Sequence, residues 1–166
     1  MRGDEAFDDV LAANERYAAG FAQAGLTGRA GRGLAVLTCI DSRIEPLAML
    51  GLEPGDAKIL RNPGARVDDG VLATLVLGRW LLGVERVMVV AHTDCRMTAA
   101  APAELHAAIR QAGGPDTSGL GFAVVADPAE GARADVELIR GFEPLAGLEA
   151  GGFLYDVATG RLARVA

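Results

Sequence analysis

The chain has 166 residues, of which 51% are apolar and 23% charged. That composition suits a folded domain with its own core and argues against a disordered chain. Its 16 basic and 22 acidic residues give a formal net charge of -6 without any basic block, which argues against a nucleic-acid partner. The acidic N-terminus and the lack of an apolar run near the ~18 residues of a membrane span lead us to expect a cytoplasmic protein with no membrane partner.

Phe7, Val10, Leu11, Ala12, Tyr17 and Phe21 recur at roughly helical spacing and predict an amphipathic helix over residues 4–24. We expect one domain over residues 1–166, with residues 1–28 a helical arm that packs on a partner subunit. Leu34-Ala-Val-Leu37, entered through Gly31-Arg-Gly33, reads as a buried strand delivering Thr38 and Cys39 at its end. Ala57-Lys-Ile-Leu60 reads as a second strand, broken by Asn62-Pro-Gly64. Residues 68–83 predict a helix capped by Asp68 or Asp69 and stopped at Gly83. Its Val71, Leu72, Leu75, Trp80 and Leu82 are expected in the core. Val87-Met-Val-Val90 is a third strand and leads to His92.

Continuous apolar strands separated by a helix predict an α/β fold with a central, mainly parallel β-sheet flanked by helices. In such open sheets ligands bind beyond the C-terminal strand ends, where Cys39 and His92 both fall. Residues 98–112 predict a helix with Pro102 in its first turn. A loop spans residues 113–119, and residues 122–126 are ambiguous between strand and irregular packing. Asp127-Pro128 has the form of an N-cap and first helical position, opening a helix to about Arg140. Residues 152–157 and 161–165, joined by Ala158-Thr-Gly160, predict a C-terminal β-hairpin.

Two segments carry candidate chemistry: Cys39-Ile-Asp-Ser-Arg43 and His92-Thr-Asp-Cys95. His92 and Cys95 are three apart, close enough to share a cation if the chain turns into a helix there, with Cys39 arriving from the neighbouring strand. Two thiolates and an imidazole suit Zn2+, and three protein ligands leave the fourth tetrahedral position open, as in catalytic sites. Asp41 and Arg43, two apart, share a side if the segment is extended. Asp41 then either binds the metal and closes the site, or accepts a hydrogen bond from metal-activated hydroxide while Arg43 holds it through a bidentate pair.

Cys39-x-Asp-Ser-Arg43 followed about fifty residues later by His92-x-x-Cys95 resembles the signature of the β-class carbonic anhydrases. Leu60-Arg-Asn-Pro-Gly-Ala-Arg-Val-Asp-Asp69, Leu82-Gly83 and Val87–Val90 are similar to that family's intervening segments. Gly152-Phe-Leu-Tyr-Asp-Val-Ala-Thr-Gly160 resembles the closing hairpin of its short prokaryotic members, so the likeness covers roughly residues 30–165. It implies reversible hydration of CO2 to bicarbonate and a proton, with Cys39, His92 and Cys95 as zinc ligands and Asp41 and Arg43 as the activating dyad. It also implies a homodimer or higher homo-oligomer. Activity is expected to fall at low pH as zinc-bound hydroxide and the Asp41 state are lost together. Arg96 stands where the family usually has Gly, and Pro63 where Ala is common.

Three alternatives share these residues: a hydrolase of COS or CS2, a catalytically silent zinc-binding dimer altered by Arg96, and a thiol redox protein using Cys39 and Cys95. His106 is expected at the surface or an interface, and Asp94 at a helix start or facing solvent.

Overall fold

A computed structural model describes residues 6–98 and 101–166. Its centre is a five-stranded sheet of order β2-β1-β3-β4-β5. The strands are β1 (Leu34–Cys39), β2 (Ala57–Asn62), β3 (Arg86–His92), β4 (Glu149–Tyr155) and β5 (Leu162–Arg164). The first four in that order run parallel, and β5 returns antiparallel on β4. The helices are α1 (Asp8–Ala19), α2 (Pro46–Leu50), α3 (Asp69–Leu81), α4 (Pro102–Gln111) and α5 (Pro128–Gly141).

All six residues of β1 are buried, because the strand has a neighbour on each side and apolar layers on both faces. Its side chains alternate between those layers. Ala35 and Leu37 join Val87, Val89, Leu75, Val136 and Ile139 on one face. Leu34 and Val36 join Val90 and Leu52 on the other. Each such Val or Leu contributes about 1.5–3 kcal/mol on full burial. That continuous apolar character makes this sequence a central parallel strand, and it brings Cys39 and His92 to neighbouring strand ends.

The caps follow the sequence. Asp68 accepts from the Val71 N–H and starts α3. Asp127 accepts from the Ala129 and Glu130 N–H groups and starts α5, with Pro128 at its first position. Gly83 follows α3 with φ 75°, the left-handed conformation that glycine adopts without a Cβ clash.

Five expectations are revised or resolved. The first helix spans Asp8–Ala19 and not residues 4–24; residues 4 and 5 lie outside the described residues. It buries none of its side chains. Trp80 is 65% exposed and is not core. The buried stripe of α3 is Val71, Leu75 and Gly78, and Trp80 projects to the far side of the 3.6-residue turn, its indole N–H donating to the Pro144 carbonyl at 2.9 Å. Strand β4 begins at Glu149, earlier than residue 152, because its first residues pair with Arg86 and Val87 of β3. Residues 121–125 are irregular, tied at Val125, whose N–H donates to the Met97 carbonyl at 3.2 Å. The helix expected over residues 98–112 is observed as Pro102–Gln111; residues 99 and 100 lie outside the described residues.

One buried ion pair locks the sheet's end to α5. Arg66 donates through Nε and Nη2 to the two oxygens of Asp135, at 2.7 and 3.0 Å, and Asp135 is fully buried. Asp135→Ala strands the half-buried guanidinium and is expected to destabilise the protein by about 3–5 kcal/mol. Urea unfolding checks this through a lowered midpoint at unchanged slope; a loss under 1 kcal/mol would contradict the role given to the pair.

Candidate metal centre

Cys39 closes β1 and His92 closes β3. Cys95 follows His92 by three residues, but not on a helix. Asp94 takes a left-handed φ of 54°, which Asp tolerates better than most residues with a Cβ, and turns the chain so that Cys95 faces back. Thr93 pins this turn to the C-terminal hairpin: its N–H donates to the Tyr155 carbonyl at 2.9 Å, and its hydroxyl accepts from the Val157 N–H at 3.1 Å. The two sulfurs and a His92 ring nitrogen lie within 4.8 Å of one another, and all three residues are buried. Among the described residues this is the one such group of three donors.

The neighbouring backbone is shaped to the same purpose. Arg61 of β2 donates through Nε to the Cys39 carbonyl at 2.9 Å and through Nη2 to the Asp41 carbonyl at 2.6 Å. The Gly64 N–H points at the Cys39 sulfur, 3.3 Å away. Gly64 has φ 81°, which favours glycine, and a Cβ there would also crowd Met97 at 3.2 Å. Ala65 is also left-handed, at φ 57°, a conformation that costs on the order of 1–2 kcal/mol with a Cβ. Asn62 holds that turn by accepting from the Arg66 N–H at 2.8 Å and donating to the Arg66 carbonyl at 2.6 Å.

These residues fit a metal. His92 Nδ1 lies 2.8 Å from the Thr93 carbonyl. A carbonyl only accepts, so Nδ1 carries the proton and Nε2 keeps its lone pair. Nε2 is buried without a hydrogen-bond partner among the described residues. Burial pushes the Cys95 thiol up, and Cys39 beside it adds to the effect. A pair of thiolates is therefore unfavourable here without a cation to neutralise it. Two sulfurs and an imidazole suit a borderline-soft divalent ion such as zinc, whose bonds of about 2.3 Å to sulfur and 2.0–2.1 Å to nitrogen can span such a cluster.

Asp41 is not in this donor group. Its segment is a turn and not extended: Oδ1 accepts from the Arg43 N–H at 2.9 Å and from Arg43 Nε at 3.0 Å, while Oδ2 accepts from Nη2 at 2.7 Å. Arg43 also donates to Asp94, to Oδ2 at 2.7 Å and to its carbonyl at 3.0 Å. Asp94 faces solvent as expected, yet it steadies the guanidinium from the other side. These bonds hold the Asp41 carboxyl well below the usual carboxylate range. Arg43 thereby keeps the Asp41 carboxylate ionised to lower pH than an unpaired carboxylate.

The cluster opens on a cavity of about 460 Å³. Cys39, Asp41 and Cys95 line it together with Met97, Ile109 and Phe122. Sequence reasoning missed Arg61, Gly64 and Asp94; the first two lie in the segment whose likeness was noted, and the third sits between two candidate ligands. His106 is half-buried, its Nδ1 2.9 Å from Thr117 Oγ1 and its ring 5.0 Å from Phe122. It holds the loop after α4 and is not among the residues lining the cavity.

An open parallel sheet with soft metal-type donors at adjacent strand ends defines the class, and comparison with known proteins narrows it. Residues 34–114 match the carbonic anhydrase family model. The chain is 33% identical to β-carbonic anhydrase 1 of Mycobacterium tuberculosis over 162 residues, covering 95% of this chain and 96% of that one. It superposes on a carbonic anhydrase from Streptococcus mutans with a TM-score of 0.89 and 34% identity, covering 96% and 97% of the two chains. A shorter match, 42% identical over 66 residues, is to a carbon disulfide hydrolase of Acidianus, covering 40% of this chain and 32% of that one. The protein belongs to the β-carbonic anhydrase family.

Because Arg43 favours the ionised form, the stability it lends through Asp41 is present above the ordinary carboxylate pKa of about 3.9 and is lost only as pH falls through the lowered value. Carbon-13 NMR of the Asp41 carboxyl is expected to show no titration between pH 7 and 4. In Arg43→Ala the midpoint should return to about 4. An ordinary midpoint in the unaltered protein would refute the assignment.

Proposed function

We propose that this protein catalyses the reversible hydration of CO2 to bicarbonate and a proton, with zinc held by Cys39, His92 and Cys95. The observation that carries this reading is the buried Cys-His-Cys donor group at the wall of a largely apolar cavity, with an ionised carboxylate beside it and absent from the donor set. When bound, zinc lowers the pKa of water to about 7, a value known from carbonic anhydrases themselves, and so supplies a nucleophile near neutral pH.

The chain's own residues do the rest. Met97, Ile109 and Phe122 give uncharged CO2 an apolar place to sit. Asp41, kept ionised, accepts a hydrogen bond from the attacking water and directs its lone pair toward the CO2 carbon. Arg43 holds Asp41 in that role. The Gly64 N–H bond to the Cys39 sulfur moderates thiolate charge. A cytoplasmic setting, which keeps thiols reduced, suits this donor set.

A second reading keeps the site and exchanges the substrate for COS or CS2. It is favoured by the similarity to a carbon disulfide hydrolase and by the cavity's apolar lining, which suits all three linear molecules. A catalytically silent metal protein is the remaining outcome.

Stopped-flow CO2 hydration on protein of measured zinc content separates these readings. Turnover with one zinc per chain supports the first. Full zinc with cleavage of COS or CS2 alone supports the second, and full zinc with no turnover of any of them supports a silent site. Cys39→Ser and Cys95→Ser should each lose zinc. Asp41→Asn should keep zinc and lose about 10²-fold or more in kcat/KM; full activity in that variant would remove Asp41 from the mechanism.

We also infer a homodimer or higher homo-oligomer. Phe7, Val10, Leu11 and Tyr17 of the α1 region are each more than half exposed, and a helix that buries nothing in its own chain gains its stability by packing elsewhere. Light scattering is expected to give at least twice the chain mass, and removal of residues 1–28 to lower it. A monomer at micromolar concentration would contradict the inference.

A further inference from the structure

We propose that Arg96 makes the wall of the metal-site cavity an anion-holding subsite. This deepens the function proposed above and rests on it, because bicarbonate is an anion and CO2 is not.

Arg96 directly follows Cys95 and lines the same cavity as Cys39, Asp41 and Cys95. It is exposed and makes no ion pair among the described residues. Asp41 and Asp94, the acids of the two donor-bearing turns, are already engaged. Both Asp41 oxygens accept from Arg43, and Asp94 Oδ2 accepts from the same guanidinium at 2.7 Å. Both acids are thus paired with Arg43, and the Arg96 guanidinium is left without a direct partner among the described residues.

Most of the remaining lining is apolar, including Met97, Leu105, Ile109 and Phe122. Low-dielectric walls strengthen a direct pairing between that guanidinium and an anion in the space they enclose. A guanidinium also presents a planar fork of donors that matches the edge of a planar oxyanion. Neutral CO2 gains nothing from this charge, whereas an anion in the same cavity does. Arg96 therefore separates the two sides of the reaction by charge and makes the site prone to occupation by its own product and by inorganic anions.

The test uses protein loaded with cobalt(II) in place of zinc, whose visible absorption reports ligand entry without any turnover. Thiocyanate is titrated as the monovalent anion, and imidazole at pH 8.5 as a largely uncharged ligand. In Arg96→Gln the thiocyanate Kd is expected to rise about three- to five-fold, the order for one partly exposed charge. Arg96→Lys should keep most of the affinity, and imidazole binding should be unchanged in both variants. Equal thiocyanate affinity in Arg96→Gln, or parallel loss of thiocyanate and imidazole, would overturn the subsite. Failure of the unaltered protein to show a thiolate-bound cobalt spectrum would overturn the metal-site reading, and the subsite with it.

Discussion

Two sulfurs and an imidazole nitrogen gathered within 4.8 Å inside a protein form an arrangement that the polypeptide cannot satisfy by itself. Burial opposes thiolate formation at Cys95, the Cys39 sulfur beside it adds to that opposition, and the histidine holds a buried ring nitrogen without a hydrogen-bond partner among the described residues. Such a cluster persists only if the scaffold imposes it, and much of the local architecture does so. Central strands β1 and β3 bring Cys39 and His92 side by side. The left-handed residues Gly64, Ala65 and Asp94 bend the flanking chain into place. Strain of this kind is retained where surrounding bonds over-determine it, here the Asn62–Arg66 bracket and the Thr93 anchors.

Charge around the cluster is divided between two arginines. Arg43 is saturated: it binds Asp41 through both oxygens and Asp94 through side chain and backbone. It thereby keeps a carboxylate ionised next to buried donors. Arg96 has no such partners among the described residues and faces an apolar cavity. One cation therefore organises the site internally, and the other is available to what enters it. The different roles come from where the acids lie in the turns, since the two side chains are chemically identical.

The fold carries its site by long-range locks more than by local propensity. Arg66–Asp135 fastens the turn after β2 to α5, and that turn supplies the Gly64 N–H at the Cys39 sulfur. The apolar side chains left outside this framework, on α1 and at Leu77, Trp80 and Leu81 of α3, show that the helix faces are not wholly used up in making the core. Among the described residues no helix is long and apolar enough to cross a membrane.

Strand order in the chain, the parallel sheet, both Asp caps and the three metal-type donors were legible in the sequence. Each rests on a local signal: a continuous apolar run, an Asp before a helix start, or soft donors at a short spacing. What escaped was set by helix phase, by side chains that capture nearby backbone, and by partners distant in the chain. Trp80 reads as core by composition, yet helix phase alone turns it outward once Val71 and Leu75 face the sheet. Asp41 and Arg43 read as an extended pair, but the Asp41 side chain captures the Arg43 backbone N–H and makes a turn. Arg61 carries no motif of its own and acquires a role only because β2 pairs with β1 in a register that sets it opposite Thr38. By itself the sequence determined which residues could bind a metal. Only the tertiary structure decided that Asp41 is held away from the donor group, because that depends on where Arg43 finds Asp94, fifty-one residues further along the chain.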